Sequence, residues 1–403
     1  MFKQTVLPGI ILLLGLVACS NGTSTPADPT KQAATAEVMI AATRTAAGAA
    51  TPAATRETSA ADTASEPSAK SRGDLIAFWR DDKGIVDIFV LDPDTGEQIN
   101  LTQNPGGHEF RPVWSPNGRL IAFLSDRMDN WDIYYAPVDL DGGSGAPARA
   151  LTISMNPDIF PRWSPDGKSV TYYTFYSGQY DIIRVNLETH RQANLTAGTK
   201  DSSETHPLWS PDGEEILFIS DRDGGNDEYY LMSKDGWNVR RLTETPDAAE
   251  WDAAWSPDGA QIAFVSDRDG NAEIYLMRAD GSDVRRVTEN QVDDGIPVWS
   301  PDGRSLLLVS NREGNTEIYR LDIDCAGSAE GCEGQMLNLT NDEAVDSLPV
   351  WSPDGSRIAF ISTRDGNEDL FLMAADGSNP INLTKSEAQE WLGEWAPRPE
   401  ERP

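Results

Sequence analysis

Acidic residues recur at two fixed places along this chain, and they are the first candidates for chemistry. One acid stands five residues before each copy of a repeated tryptophan, at Glu109, Asp158, Glu204, Glu250, Asp294, Asp346 and Glu390. A second acid opens a later apolar segment of each copy, at Asp87, Asp132, Asp181, Glu228, Glu273, Glu317 and Asp369. Carboxylates gathered at one opening attract a cation, an amine or a basic peptide. The pattern predicts an acidic binding mouth if the fold brings these positions to one end.

Arginines near the second acids offer a structural alternative, because a guanidinium pairs readily with a carboxylate. They stand at Arg127, Arg222, Arg268, Arg312 and Arg364. Two copies carry Asp82 and Tyr176 at that position, and five arginines cannot neutralise fourteen acids. We interpret the single acids as structural and the ring as a whole as a binding surface. Calcium is conceivable, although Asp267-Arg268-Asp269-Gly270-Asn271 lacks the spacing of an EF-hand loop.

The position three residues before each repeated tryptophan varies in type while its surroundings repeat. Its occupants are Arg111, Phe160, His206, Asp252, Ile296, Leu348 and Leu392. A position that varies on a repeated scaffold is where a binding protein would read its ligand. With Trp251 and Trp391, these residues predict a partly aromatic pocket in the mouth. Tyr172 and Tyr173 are better explained as core between strands.

The elements that must position these residues come from an internal repeat. Trp-Ser-Pro-(Asp/Asn)-Gly occurs six times, with a degenerate seventh copy at Trp395, in steps of 49, 46, 46, 44, 52 and 44 residues. Each copy contains four strand-length segments separated by short turns that contain glycine. Four antiparallel strands repeated around a ring are typical of a β-propeller. The sequence therefore predicts an all-β fold in which both sets of acids lie at one end.

The number of blades follows from the strands. Apolar second strands begin near seven positions, and the segment from Gly73 starts at a second strand without a first one. The chain ends with a first strand, at Trp395, that has no successor. Pairing the two leaves no open edge at the seam. We predict a seven-bladed β-propeller of four-stranded antiparallel blades over residues 73–397, closed by the C-terminal first strand, with a tail at 398–403.

Residues 1–72 precede this ring and have a different composition. Residues 1–19 combine Lys3, a short apolar run and Leu16-Val17-Ala18-Cys19, which predicts an export signal ending in a segment that resembles a bacterial lipobox. The resemblance implies that the Cys19 thiol receives a lipid. Residues 20–72 are rich in Ala, Thr, Ser and Pro and lack aromatics, so we expect a disordered tether.

Two further cysteines lie in the longest repeat. Cys325 and Cys332 are seven residues apart in a segment rich in Gly, Ser and Glu. In an exported protein we expect them to form a disulfide that pins this insertion. A metal pair is the alternative, but no second pair of Cys or His accompanies them.

The repeats resemble the propeller of TolB-like and related WD40-like proteins, and the resemblance covers residues from Gly73 to about Pro397. TolB is a periplasmic protein of the Tol–Pal envelope system with six blades, an N-terminal α/β domain and an ordinary cleaved signal. This chain instead has seven predicted blades, a predicted tether and a lipobox-like segment. The resemblance implies the fold; binding of TolB's own partner is not carried over.

Charge limits the partners. Asp and Glu number 65 against 33 Lys and Arg, for a net charge of −32, which argues against nucleic acid. We expect a monomeric, non-enzymatic binding scaffold without a cofactor, anchored by lipid to the outer face of the cytoplasmic membrane or within the envelope. Its partner would be an envelope protein, peptide or glycan, and the predicted acidic mouth favours a cationic one. The alternative is a propeller enzyme such as a polysaccharide lyase, similar to oligogalacturonate lyases, which bind a metal through several histidines; His108, His190 and His206 are the only ones here.

Overall fold

Twenty-eight β-strands in the described residues form seven four-stranded antiparallel sheets, which confirms the predicted all-β, seven-bladed propeller. The computed structural model describes residues 75–138, 147–199, 201–224, 226–324, 332 and 335–397. The predicted signal peptide with Cys19, the tether, the tail and Cys325 lie outside these residues. Within them, no helix is both long and apolar enough to cross a membrane.

The innermost strand of each blade carries the repeated tryptophan. These strands are β4 (Glu109–Trp114), β8 (Asp158–Trp163), β12 (Glu204–Trp209), β16 (Glu250–Trp255), β20 (Asp294–Trp299), β24 (Asp346–Trp351) and β28 (Gln389–Trp395). The second strands are β1 (Ile76–Asp82), β5 (Leu120–Ser125), β9 (Ser169–Tyr176), β13 (Glu215–Ser220), β17 (Gln261–Ser266), β21 (Ser305–Ser310) and β25 (Arg357–Ser362). Innermost strands contact one another at six of the seven junctions between adjacent blades, from β16 through β28 to β12, so they surround a central channel.

The outer half of each blade is a longer third strand and a short fourth strand. The third strands are β2 (Ile85–Leu91), β6 (Asp132–Pro137), β10 (Gln179–Asn186), β14 (Glu228–Ser233), β18 (Glu273–Arg278), β22 (Glu317–Asp322) and β26 (Asp369–Ala374). The fourth strands are β3 (Gln98–Asn100), β7 (Arg149–Ala150), β11 (Gln192–Asn194), β15 (Arg240–Arg241), β19 (Arg285–Arg286), β23 (Leu337–Asn338) and β27 (Ile381–Asn382). We number blade 1 as β28-β1-β2-β3, and blades 2 to 7 follow in chain order from β4.

The ring closes as predicted, because the last strand is the innermost strand of the first blade. β28 pairs antiparallel with β1, with Trp391 opposite Trp79 and Glu390 opposite Arg80. The same strand contacts β4 of blade 2 and β24 of blade 7. Closure removes the open edges that a sheet would otherwise present at the seam.

The turn after each repeated tryptophan is held by its own side chains. In blade 3, Ser164 Oγ lies 2.6 Å from Asp166 Oδ1 and accepts a hydrogen bond of 3.0 Å from the backbone N–H of Ser169. Gly167 has a φ of 68°, a conformation that glycine adopts without steric cost. A Cβ at Gly167 would lie 3.7 Å from Pro116 of the preceding turn, so these turns stack around the ring.

The repeated tryptophans and the apolar core join neighbouring blades. Trp163 Nε1 donates to the carbonyl of Val113 at 3.1 Å, and Trp299 Nε1 donates to that of Ala254 at 3.1 Å. One buried cluster combines Ile88 and Val90 of blade 1 with Phe123 of blade 2. Burial of this apolar surface between sheets makes each blade depend on its neighbours.

Candidate binding site in the central channel

Both sets of acids lie at the same end of the ring, which we call the acid end; the opposite end, with the Trp-Ser-Pro-Asp-Gly turns, is the tryptophan end. In blade 2, Glu109 is opposite Ser125 and Ser125 is opposite Asp132 in register. All fourteen acids are nevertheless buried, with at most 9% of each residue exposed. They therefore do not form the open anionic rim that the sequence suggested.

Each inner-strand acid is the centre of a small buried network. In blade 4, Glu204 accepts hydrogen bonds from Ser220 Oγ at 3.1 Å and from the Arg222 guanidinium at 3.2 Å. The same guanidinium lies over the rings of Phe218 and Tyr230, with distances of 5.1 and 5.0 Å to their centroids. Blades 2, 5, 6 and 7 repeat the acid–arginine pair. This geometry neutralises the acid and ties the first strand of a blade to the turn between its second and third strands.

Blade 1 also has such a pair, although its turn position holds Asp82. Arg80 supplies the guanidinium from within β1, with Nε 2.7 Å from Glu390 Oε1. Its charge lies 4.5 Å from the centroid of the Phe89 ring. Six of the seven inner acids are therefore paired, where the sequence indicated five. The sixth was missed because Arg80 reaches Glu390 across the β1–β28 ladder, which joins the two ends of the chain.

Blade 3 lacks the arginine. Its second and third strands, β9 and β10, extend beyond the acid into a tight turn at Ser177 and Gly178, both with positive φ. Asp158 is 1% exposed and forms no ion pair with an arginine among the described residues. One of its oxygens, Oδ2, has no hydrogen-bond partner there, which is also true of one carboxylate oxygen in each of Glu109, Glu250, Asp294 and Asp346. Burial raises the pKa of Asp158 to about 6, and it also raises the pKa values of the arginine-paired Glu250 and Asp346, to about 7 and about 6. This blade is the one break in an otherwise repeated electrostatic network.

The third-strand acids hold the outer strand and the loop to the next blade. Asp87 accepts hydrogen bonds from Asn100 Nδ2 at 2.9 Å and from Thr102 Oγ1 at 2.9 Å, and also from the backbone N–H of Asn104. Thr102 Oγ1 in turn accepts from the backbone N–H of Ile88 at 3.0 Å. The corresponding threonine accepts a backbone hydrogen bond in every blade. These acids and threonines stabilise the blade and are not free to meet a ligand.

The variable position of the repeat lies in or next to a β-bulge of each inner strand. The ladder between first and second strands shifts register there in six blades, and one residue later, at Gly393, in blade 1. The residue has a positive φ, between 49° and 59°, at Arg111, Phe160, His206, Asp252, Ile296 and Leu348. A positive φ is uncommon in non-glycine residues and costs most for a β-branched one such as Ile296. Bulges redirect side chains, and strained backbone concentrates at binding sites. We call these six residues and Leu392 the belt.

One half of the belt is polar and aromatic. The Phe160 ring lies 4.5 Å from the His206 ring and 5.3 Å from that of Tyr173, centroid to centroid. The Arg111 guanidinium lies 4.0 Å from the centroid of the Phe160 ring. His206 and Asp252 are exposed to the channel. Arg111, Phe160, His206 and Asp252 come from the consecutive blades 2, 3, 4 and 5, so they form one continuous arc.

The electrostatics of this arc differ from those of a solvated surface. Desolvation in the narrow channel, together with Arg111 and Arg162, lowers the pKa of His206 to about 3. Desolvation raises the pKa of Asp252 to about 6, and Arg111 opposes that rise. The same desolvation lowers the pKa of Arg111 to about 10. At neutral pH the arc therefore presents a cation, an anion and a neutral imidazole.

The other half of the belt is aliphatic. Ile296, Leu348 and Leu392 come from blades 6, 7 and 1, which complete the ring. Leu348 and Leu392 pack in one apolar cluster with Phe78. A channel that is polar and aromatic on one side and aliphatic on the other fits an amphipathic ligand.

The remaining predicted site residues fall outside the belt. Trp391 is 3% exposed, and its ring centroid lies 6.2 Å from that of Trp79, so it belongs to the seam between β28 and β1. Trp251 is half-buried in β16, one residue before Asp252. Tyr172 is buried, whereas the Tyr173 ring contacts two belt residues.

Cys332 is buried and disulfide-bonded, but its predicted partner Cys325 lies outside the described residues, so this pairing stays a prediction.

Sequence reasoning missed two charged residues near the tryptophan end. The residue immediately before the repeated tryptophan is apolar in five blades, at Val113, Leu208, Ala254, Val298 and Val350. In blades 3 and 1 it is Arg162 and Glu394, which lie 4.0 Å apart. The departure from an apolar repeat position was the signal that could have found them. Among the described residues, no three or more His, Cys, Asp or Glu side chains are grouped to hold a metal ion.

Seven four-stranded antiparallel blades around a channel define the class as a β-propeller. The model of the TolB beta propeller domain matches residues 138–294, 253–331 and 291–401, and the chain belongs to this family.

Individual relatives share shorter stretches. The Tol-Pal system protein TolB of Legionella pneumophila strain Paris is 34% identical over 77 residues, which are 19% of this chain and 18% of that protein. The matched segments span about a third or less of the curated relatives.

Solved structures of two enzymes share the fold. Oligogalacturonate lyase in complex with manganese is 16% identical with a TM-score of 0.55, over 78% of this chain and 86% of the lyase. A puromycin hydrolase mutant is 16% identical with a TM-score of 0.62, over 78% of this chain and 52% of the hydrolase. At this identity the likeness concerns the propeller alone.

Proposed function

We propose that this chain is a non-enzymatic binding scaffold of the cell envelope that holds part of an envelope protein, peptide or glycan in its propeller channel. The observation that carries the proposal is the belt. Six of its seven positions share a positive φ and carry six different side chains, and the belt divides into a polar, aromatic arc and an aliphatic arc that includes Leu392. Membership of the TolB beta propeller family supports a binding role in general.

In this proposal the ligand is recognised by the belt and not by the fourteen buried acids. The acids are buried and mostly paired with arginines, so a ligand could reach them only by displacing those partners at a high cost in desolvation. The exposed groups of the belt are those of His206 and Asp252, with Arg111 and Phe160 beside them. An amphipathic segment with a cationic group facing Asp252 and an apolar face toward Ile296 fits this arrangement.

Export and anchoring rest on the sequence pattern of residues 1–19. A lipid on Cys19 would hold the propeller at a membrane surface, with residues 20–72 as a spacer. The test is mass spectrometry of the N-terminal peptide after expression in a bacterial host, with Cys19→Ser as the comparison. A diacylglycerol adduct on Cys19 is expected, and an unmodified Cys19 in membrane fractions would contradict the anchor.

The belt is tested by capture of envelope components on the purified full-length chain. Arg111→Ala and Asp252→Ala should each reduce recovery of the captured species about ten-fold, the effect of losing one buried polar contact. Arg119→Ala and Asp247→Ala are matched controls, since both residues are exposed and lie outside the belt. Equal capture by belt and control variants would contradict the proposal.

The same preparation decides between a scaffold and a lyase. Metal analysis and an assay on acidic oligosaccharides should show neither stoichiometric metal nor turnover. Stoichiometric metal that is lost in His206→Ala, together with turnover, would instead establish the enzyme alternative.

A further inference from the structure

A pocket of about 260 Å³ opens at the tryptophan end of the channel. Its walls come from blades 1 to 4, where the repeat places the residue before each tryptophan, the tryptophan itself and the proline of the turn. Val113 and Leu208 form apolar walls, and Trp114, Trp163 and Trp209 add aromatic surface. The pocket lies beyond the belt, at the opposite end from the acids.

Two opposite charges stand in this apolar setting. Arg162 Nη1 and Glu394 Oε1 lie 4.0 Å apart, and their side chains are 38% and 42% exposed. The other carboxylate oxygen, Glu394 Oε2, accepts a hydrogen bond of 3.1 Å from the backbone N–H of Trp114. That bond orients the carboxylate, while the wide separation of Arg162 and Glu394 leaves donors and acceptors of both groups accessible.

The two charges are complementary to those of a small zwitterionic ligand. The ammonium nitrogen of an α-amino acid lies about 2.5 Å from the carboxyl carbon, because two bonds of about 1.5 Å meet at an angle of about 111°, and it lies about 3 Å from the carboxylate oxygens. A carboxylate beside Arg162 and an ammonium beside Glu394 would then both be within hydrogen-bond distance.

From this juxtaposition we infer that the tryptophan end holds a binding site for a free zwitterionic α-amino acid with an apolar side chain. Arg162 binds its carboxylate, Glu394 binds its ammonium group, and Val113, Leu208 and the tryptophans surround its side chain. Both charged residues stand where five other blades place an apolar residue, so the fold itself does not need them there.

The experiment titrates the full-length chain with L-leucine and follows heat of binding. Saturable binding is expected, and leucinamide and N-acetyl-leucine, which each lack one charge, should bind at least about ten-fold more weakly. Absence of saturable L-leucine binding, or equal binding of L-leucine and both analogues, would overturn the inference.

Two variants assign the charges without disturbing the fold. Arg162→Leu and Glu394→Val introduce the residue types that blades 4 and 2 carry at the same position. Arg162→Leu should abolish the preference for L-leucine over leucinamide, and Glu394→Val the preference over N-acetyl-leucine. Retention of both preferences in both variants would refute the site. Arg119→Leu is the control that should change nothing.

This inference and the proposed scaffold function fail separately. The scaffold is tested by capture with belt variants, whereas the pocket is tested by direct titration of a small molecule. If capture of envelope components requires Arg111 but the chain does not bind L-leucine, the inference about the pocket is refuted and the scaffold proposal stands.

Discussion

The seven inner-strand acids and the belt lie two residues apart on the same seven strands, yet they differ in burial and in variability. The acid positions hold Asp or Glu in every blade, are buried, and in six blades are paired with an arginine. The belt positions hold an arginine, aromatic, acidic and aliphatic residues and contain the exposed His206 and Asp252. In this chain, the acids that recur in every blade are buried and mostly neutralised by arginines. The positions that vary between blades include the residues that are exposed to the channel.

Removing a paired acid tests the structural side of this comparison and should have the largest effect. Glu109→Gln leaves the Arg127 guanidinium without its carboxylate next to the buried Ser125. The free energy of unfolding should fall by about 3 kcal/mol, because an uncompensated charge remains in the interior. Denaturant unfolding measures the change, and Glu97→Gln at an exposed position is the control. A loss no greater than that of the control would mean that these pairs are not structural.

Removing the carboxylate of Asp158, the acid of blade 3 that has no arginine partner, should instead raise the free energy of unfolding. The pKa of Asp158 is raised to about 6 in the folded chain, against about 3.9 for an unfolded aspartate. The folded state therefore binds the proton more tightly, and stability is lost as pH rises from about 4 to 6. Asp158→Asn removes that loss and should raise the free energy of unfolding at pH 7.5 by about 2 kcal/mol.

Unfolding of the two chains as a function of pH checks this sign. The variant and the parent should converge near pH 4 and separate above pH 6. Asp247→Asn, at an exposed position, should follow the parent throughout. A destabilised Asp158→Asn variant at pH 7.5 would show that blade 3 neutralises its acid by another route.

The belt should tolerate substitution, and at one position it should gain stability. Ile296 has a φ of 55°, which is costly for a β-branched residue, while asparagine tolerates this conformation. Ile296→Asn should raise the free energy of unfolding by about 1 kcal/mol through relief of that strain. Ile296→Val keeps the branch and should show no gain. A loss of stability in Ile296→Asn would mean that packing of the aliphatic arc outweighs the strain.

The smallest expected effect is a change in the pKa values of two belt residues when a neighbouring charge is removed. Arg111 lowers the pKa values of both His206 and Asp252, so Arg111→Leu should raise both. Titration of the imidazole by NMR measures the first shift, and Arg119→Leu supplies the control. Unchanged titration of His206 would place Arg111 and His206 too far apart to act on one ligand.

Most of the architecture could be read from the repeat. The spacing of the tryptophans, the seven second strands and the unmatched first strand at Trp395 predicted the number of blades and the β28–β1 seam correctly. The site could be predicted only in part. Residues of the belt were found because they vary between blades. The acids were predicted to line an open mouth, because a repeated charge in the sequence does not show whether a partner buries it in the fold. Arg80 shows the reason, because it neutralises Glu390 from the other end of the chain.

The sequence by itself determined the period, the strands and the end of the ring to which each acid belongs, because these depend on local patterns that alternate with strand direction. Only the tertiary structure decided which charges are accessible. Burial depends on the neighbouring blade and on partners far away in sequence, such as Glu394 for Arg162 and the Phe160 ring for Arg111. Desolvation and pairing are properties of that packing, and they separate the acids that stabilise the fold from the residues that line the channel.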